Sequence, residues 1–211
     1  NVSTIFLARE VADRIDAGKL TWVVFGGTHP KPAGNAIAAD MIGHLLDRAW
    51  SKPVASKPAP HALPWKPVDD GCYQRAHFLL PAASANEAWT WHEPDWKQIP
   101  GGFRSDPFAG KKLLTASLAG QEATVHFNGG ALGAYVLAGP DAGVLEVSID
   151  GGKWQRVDLY HRHSRGLHYP RTVMFATDLK TGAHTAKIRL SNKSNPLSKG
   201  TAARVLQFVV N

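Results

Sequence analysis

The stretch Val144-Leu145-Glu146-Val147-Ser148-Ile149-Asp150-Gly151-Gly152-Lys153-Trp154 decides the fold of the larger part of this chain. Apolar side chains at 145, 147 and 149 alternate with polar ones at 146, 148 and 150, which is the period of a strand with one buried face. Asp-Gly and Gly-Gly then provide residues that tolerate positive φ, as a tight turn requires. The stretch therefore predicts a β-hairpin that packs on an apolar core.

The same alternation recurs on both sides of this hairpin, between clusters of Gly, Pro, Asn and Asp. Many short strands at a spacing of about 8–12 residues predict an antiparallel β-sandwich or jelly roll, which we place at residues 67–211. The predicted strands are Arg75–Leu80, Leu113–Leu118, Ala123–Asn128, Ala131–Ala138, Val144–Asp150, Lys153–Tyr160, Thr172–Thr177, His184–Ser191 and Arg204–Val210. The segment Glu87–Asp106, rich in tryptophan and proline, is predicted to be a long loop rather than a regular strand.

The first 50 residues are predicted to be mainly helical, which makes the chain α+β by content. Residues 4–17 place apolar side chains at helical spacing, and Gly18 ends that helix. Leu20–Phe25 is predicted to be a short strand or an extended approach to a loop. A second helix from Ala33 to Trp50 carries a broad apolar stripe that we expect to be buried. Residues 51–66, rich in Pro and small side chains, are predicted to be an extended, semi-rigid linker.

A histidine is held at the centre of the loop that joins these two helical segments. Gly26 and Gly27 permit positive φ, and Pro30 disfavours the α region for His29. Pro32 has a fixed φ that suits the first turn of a helix. Such a loop presents an imidazole at a defined place and angle, and we expect His29 to be a catalytic residue.

The block Thr28-His29-Pro30, followed by Pro32-Ala33-Gly34-Asn35 and the helix ending at Trp50, resembles the last motif block of the SGNH/GDSL hydrolases. The resemblance implies that residues 1–50 are the C-terminal end of an α/β/α hydrolase domain, with His29 as general base of a serine esterase. The family's aspartate three residues before the histidine is Gly26 here, so either a carboxylate outside this block or a backbone carbonyl orients His29, or the parent protein is a weak esterase. The nucleophile block would lie upstream of Asn1, and we expect this chain alone to be inactive.

The C-terminal part resembles the galactose-binding-like sandwich that accompanies some carbohydrate esterases of the SGNH group. The residues that carry this resemblance are Ala138–Gly143, Ser148–Gly152 and Gly182–Thr185, in that order. Together the two resemblances imply a carbohydrate ester, or another small ester, as substrate. From the same resemblances we expect a secreted or periplasmic location.

Candidate substrate-binding residues lie in two further places. His161, His163, His168 and Arg171 cluster between the predicted strands and could donate hydrogen bonds to a substrate, or could belong to a solvated loop. Trp89 and Trp91 could stack on sugar rings, or could pack in the interior. A metal held by the three histidines is disfavoured because no carboxylate or thiol accompanies them, so we predict no metal and no cofactor.

Composition narrows the remaining possibilities. The net charge is +7, but the 24 basic and 17 acidic side chains are dispersed, which disfavours a nucleic-acid partner. No apolar run reaches the ~20 residues of a membrane span, so no membrane partner is predicted. The alternative to an esterase is a non-catalytic carbohydrate-binding or structural sandwich, and the oligomeric state is open.

Overall fold

The chain divides into two units, Asn1–Trp65 and Lys66–Asn211. The computed structural model describes residues 4–53, 57, 60, 62, 65, 66, 68, 69, 72–101 and 103–211, without the side chains of 103–105. Much of the predicted linker, residues 51–66, lies outside the described residues.

Where the structure describes it, the first unit contains three helices: α1 (Leu7–Asp16), α2 (Trp22–Phe25) and α3 (Pro32–Trp50). The prediction of a strand or extended segment at Leu20–Phe25 was therefore wrong. The Thr21 side chain accepts a hydrogen bond of 3.2 Å from the Val24 amide, and Gly26, at φ 110°, ends the turn. Capping at both ends outweighs the β-forming tendency of the two valines in this segment.

The core of the first unit is small. It consists of Val11, Leu20 and Phe25, with Leu7, Ile15 and Ile37 packed against it. The apolar stripe of α3 is not buried as expected, because Ile42 and Leu46 are exposed. Two helices and one helical turn offer too little apolar surface to cover that stripe.

The second unit contains ten strands in its described part. They are β1 (His77–Leu79), β2 (Thr90–His92), β3 (Leu113–Ala116), β4 (Glu122–Gly129), β5 (Leu132–Ala138), β6 (Val144–Ile149), β7 (Gln155–Asp158), β8 (Tyr169–Ala176), β9 (Gly182–Leu190) and β10 (Ala203–Val210). Short 3₁₀ helices span Pro81–Ser84 and Phe103–Phe108. The unit is therefore mostly β, as the alternation predicted.

The strands form two sheets in which every strand pair is antiparallel. Sheet I has the order β2-β3-β10-β5-β8, with β1 also paired to β10, and sheet II has the order β4-β9-β6-β7. The hairpin predicted at residues 144–154 is β6–β7, in which Leu145 lies opposite Val157. Asp150, at φ 51°, and Gly151, at φ 72°, make its turn. The predicted antiparallel sandwich is confirmed.

One continuous core lies between the two sheets. Trp89, Leu114, Val136 and Phe208 contribute to it from sheet I and the segment before β2, and Val147 and Ile188 contribute from sheet II. Side chains alternate along each strand, so the residues between these positions lie on the outer faces.

Two predicted boundaries differ from the structure in ways that matter for the site. The segment Glu87–Asp106 contains β2, an edge strand, where we predicted only a loop. Strand β8 begins at Tyr169 rather than Thr172, which places Tyr169 and Arg171 on the sheet. Within the described residues, no helix has both the length and the apolar character that crossing a membrane requires.

Candidate functional site

His29 lies in the short connection between α2 and α3. Gly26 and Gly27 take φ values of 110° and 70°, and the Lys31 amide donates a hydrogen bond of 2.9 Å to the Phe25 carbonyl, which closes the loop. A Cβ atom at Gly26 would overlap the Lys31 amide nitrogen and would lie 2.7 Å from the His29 carbonyl oxygen. The loop therefore has no room for the aspartate that the SGNH resemblance would place at position 26.

The imidazole of His29 is exposed, and its side chain makes no hydrogen bond to the described residues. No carboxylate of the described part orients it. The loop fixes the position of the His29 backbone. The orientation of the ring would have to be fixed by a group outside the described residues. The ring nitrogens of His29 are therefore open to a partner from outside the described residues.

In the second unit, the structure brings together two histidine rings of the β7–β8 connection and the ring of Tyr169, the first residue of β8. His161 stacks on Tyr169 with ring centroids 4.5 Å apart and planes 7° apart, and His163 lies 5.2 Å from each of them. We call His161, His163, Tyr169 and Arg171 the imidazole cluster. Its aromatic faces and its N–H and O–H groups are the kinds of group that hold sugars.

The backbone of the imidazole cluster is fixed by a buried serine. Ser164 donates its hydroxyl hydrogen to the Ala138 carbonyl at 2.7 Å and accepts a hydrogen bond from the His161 amide at 3.0 Å.

Desolvation lowers the pKa of His161, and the positive charges of Arg171, His163 and Arg162 lower it further. At neutral pH His161 is therefore uncharged and can both donate and accept hydrogen bonds.

His168 does not belong to this cluster and is not available to a substrate. Only 1 % of its surface is exposed, its Nε2 donates to the Pro100 carbonyl at 3.1 Å, and its ring meets the Trp96 ring edge-on at 5.1 Å. Burial, and then the charge of Arg204, lower the pKa of His168, so the ring is neutral. The predicted substrate role of His168 is wrong because the side chain is part of the interior.

The positions of the two candidate tryptophans also do not fit the hypothesis that these residues stack on sugar rings. Trp89 has 0 % of its surface exposed, and its indole N–H donates to the Gln121 carbonyl at 2.9 Å. Trp91 is half-buried and packs against the core from β2. Trp89 therefore takes the packing role that the sequence also allowed, and it offers no free face for a sugar ring.

A groove on the outer face of sheet I was missed by the sequence analysis. We call it the sheet I groove; it holds about 460 Å³, and its polar lining includes Thr90, His92, Asp95, Gln98 and Thr115. The hydroxyl of Thr90 lies 2.9 Å from His92 Nδ1 and 3.3 Å from the hydroxyl of Thr115. The pattern Trp89-Thr90-Trp91-His92, with tryptophans inward and polar groups outward, is a strand signal that could have located this face.

A buried ion pair lies at the base of the sheet I groove. Arg204 donates to the two carboxylate oxygens of Asp141 at 2.8 and 2.6 Å. Burial would raise the pKa of Asp141, but the hydrogen bonds and charge of Arg204 outweigh it and hold that pKa below its usual value. Both side chains are ionised at neutral pH, and each neutralises the other.

A metal site is not visible in the described part of the chain. No three His, Cys, Asp or Glu side chains there lie in an arrangement that could hold a metal ion. His161 and His163 direct ring faces at each other and at Tyr169, and His168 is bonded to Pro100 instead.

With a helical unit and an antiparallel sandwich established, the structural neighbours define the class of fold. The crystal structure of a two-domain esterase active on acetylated mannans superposes with a TM-score of 0.60 and 18 % identity. The match covers 94 % of this chain and 52 % of that one. The same esterase co-crystallised with mannopentaose gives a TM-score of 0.58 at the same identity and coverage.

A third structure, a family two carbohydrate esterase from Cellvibrio japonicus, overlaps less. Its TM-score is 0.39 at 12 % identity, over 64 % of this chain and 33 % of that one. No family model matches the chain, and no curated protein is significantly similar in sequence. The chain thus shares the fold of part of the two-domain esterase and spans about half of that protein's length.

Proposed function

We propose that this chain is the histidine-bearing part of a serine carbohydrate esterase of the SGNH type, with His29 as general base. One observation carries the proposal: 94 % of the chain follows the fold of a two-domain esterase with a TM-score of 0.60. Within that fold, His29 is an exposed imidazole in a glycine- and proline-bounded loop, as expected for a catalytic base.

In the proposed reaction, a serine outside this chain attacks the ester carbonyl while His29 accepts the serine proton. The tetrahedral intermediate collapses as His29 passes that proton to the leaving sugar oxygen, and an acyl-enzyme remains. Water then attacks the acyl group, His29 accepts a proton from the water, and the same proton returns to the serine oxygen as the acid leaves. Each step requires one imidazole that is neutral before the attack.

The imidazole cluster is our candidate for contacts to the sugar part of the substrate. It combines the Tyr169 ring, on which His161 stacks, with the hydrogen-bonding groups of His161 and His163. Arg171 lies at the limit of hydrogen-bond distance from two backbone carbonyls, at 3.5 Å each, so its guanidinium retains further donors.

The test is ester hydrolysis by the complete protein that contains this chain, with acetylated mannan and p-nitrophenyl acetate as substrates. His29→Ala is expected to lower kcat by at least about 10³-fold, because a serine without its base is not activated. The matched control is His44→Ala, an exposed histidine on α3 in the same unit. It should leave kcat within about two-fold.

Equal activity of His29→Ala and His44→Ala would remove His29 from the mechanism. Absence of activity in the complete unsubstituted protein would leave the alternative, a carbohydrate-binding or structural sandwich with a helical extension. Loss of mannan deacetylation on changing His161 with p-nitrophenyl acetate cleavage intact would support sugar recognition by the imidazole cluster.

A further inference from the structure

We propose that the sheet I groove is a binding site for a neutral oligosaccharide. The site would act by binding alone, so it does not rest on the proposed esterase function. Its residues, Thr90, His92, Asp95, Gln98 and Thr115, do not overlap with His29 or with the imidazole cluster.

One wall of the groove is the segment of residues 93–100. The groove is preorganised because hydrogen bonds hold both ends of this segment. The Glu93 carboxylate accepts the Gly110 amide at 2.6 Å, and the Pro100 carbonyl accepts His168 Nε2 at 3.1 Å. Between these ties, Trp96 packs its ring against His168. The segment that carries Asp95 and Gln98 therefore pays little ordering entropy when a ligand binds.

The groove offers both donors and acceptors. The hydroxyls of Thr90 and Thr115 lie 2.9 and 3.4 Å from His92 Nδ1, and His92 Nε2 has no partner among the described residues. Asp95 accepts the Lys97 amide at 3.1 Å and Gln98 Nε2 at 3.0 Å, and its carboxylate keeps further lone pairs. A sugar hydroxyl, which donates and accepts at once, matches this mixture.

The charge of the groove selects against anionic ligands. Its lining includes the carboxylates of Asp95 and Glu87. Its arginine, Arg204, is already bound through two hydrogen bonds to Asp141. A phosphate or a uronic acid would meet acceptors and negative charge, whereas a neutral polyol would not.

The volume of the groove and its apolar surface determine the affinity that we expect for a sugar. About 460 Å³ lies within the range of about 300–1,000 Å³ that is usual for ligand sites. Leu118, which is 66 % exposed, provides apolar surface for sugar C–H groups. No aromatic ring other than His92 faces the groove among its described lining residues, so we expect a weak affinity, in the range of about 1 mM.

The experiment is an NMR titration of the 211-residue chain, labelled with ¹⁵N, against mannopentaose and against an oligogalacturonate of similar length. Mannopentaose should shift the amide signals of β2, β3 and residues 93–100, and the acidic oligosaccharide should not. His92→Ala should raise the Kd for mannopentaose about 2- to 10-fold, the weight of one neutral hydrogen bond.

The matched control is His126→Ala, an exposed histidine on a strand of sheet II whose Nδ1 also lies near a threonine hydroxyl, at 3.1 Å. A second pair is Gln98→Ala in the groove and Gln155→Ala on β7. Unshifted groove signals, shifts that map elsewhere, equal effects of the paired variants, or equal binding of the acidic oligosaccharide would each overturn the proposal. Because the readout is binding, it is independent of whether His29 proves catalytic.

Discussion

At the scale of single residues, the second unit is organised around polar side chains that are buried with partners. His168 and Arg204 are both almost fully enclosed, and each is held by a specific acceptor, the Pro100 carbonyl and the Asp141 carboxylate. Such groups stabilise one arrangement of the surrounding loops, because any other arrangement would leave them unpaired at a cost of ~1–3 kcal/mol each. They therefore determine where the wall of the sheet I groove lies.

Gly139 is the residue at which this arrangement can be tested. A Cβ atom there would overlap the imidazole of His168 and would lie 3.1 Å from an Asp141 carboxylate oxygen. Gly139→Ala is expected to destabilise the second unit by about 1–3 kcal/mol, because a packed interior does not accept the extra methyl group. Urea denaturation of the chain, followed by far-UV circular dichroism, measures this change.

The control for that substitution is Gly166→Ala in the connection between β7 and β8. Nothing lies within 4 Å of the Cβ position at Gly166. Its free energy of unfolding should stay within about 0.5 kcal/mol of the original. Similar values for the two variants would mean that His168 is not packed tightly against Gly139.

At the scale of elements, the turn of the β6–β7 hairpin is joined to β9 by a charged contact. The Asp150 carboxylate accepts His184 Nδ1 at 2.6 Å and the Thr185 amide at 2.9 Å, and the Lys180 carbonyl accepts His184 Nε2 at 2.7 Å. Both ring nitrogens of His184 thus face acceptors. The hydrogen bond that His184 donates to Asp150, more than the one it donates to the Lys180 carbonyl, raises the pKa of His184.

This contact predicts a pH dependence with a definite sign. Because the pKa of His184 is higher in the folded than in the unfolded chain, its contribution is complete below the unfolded value of about 6.5 and is lost as pH rises through the folded value. The Thr185 amide, and then His184, lower the pKa of Asp150, so the contribution of that carboxylate is lost only as pH falls through its folded value. Their shared contribution is therefore present in mildly acidic solution.

Asp150→Asn should bring the pKa of His184 down towards about 6.5 while keeping the turn, because asparagine tolerates the positive φ of that position. A ¹H NMR titration of the His184 ring protons measures the pKa directly. The control is Asp178→Asn, a carboxylate on the connection into β9 that bonds to the Thr177 hydroxyl. If Asp150→Asn left the His184 titration unchanged, the contact would not form in solution.

At the scale of the whole molecule, the two units differ in the size of their hydrophobic cores. The sandwich has a continuous core between its sheets, whereas the described part of the helical unit has a buried apolar cluster of Val11, Leu20 and Phe25. Exposed apolar side chains are correspondingly prominent in the helical unit, with Trp22 at 56 % exposure. Small units with so few buried side chains rarely fold alone.

We therefore expect residues 66–211, expressed alone, to unfold cooperatively on heating and to keep the dispersed NMR spectrum of a sandwich. Residues 1–65 alone should show little helix and no cooperative transition, because isolated helices of this length are marginal in water. Circular dichroism melts of both fragments and of the chain provide the comparison. A cooperative melt of residues 1–65, or a disordered fragment 66–211, would contradict this account.

The sandwich could be predicted because alternation is a local property of the chain. Leu145, Val147 and Ile149 reveal a buried face without reference to any partner strand, and Asp150-Gly151 reveals the turn. The loop around His29 could be predicted equally well, because glycine permits positive φ and proline fixes φ wherever they occur. Short capped segments were harder to predict, as the helical turn at Trp22–Phe25 shows.

The site depended on contacts between residues far apart in sequence, which no local pattern encodes. His168 and Arg171 are three residues apart, yet one is enclosed against Pro100 and the other lies at the imidazole cluster. The pairing of β2 with β3 brings Thr90 and His92 beside Thr115, and only that pairing creates the sheet I groove. Periodicity along the chain determines which faces are apolar, whereas the packing of those faces decides which polar side chains remain available to a ligand.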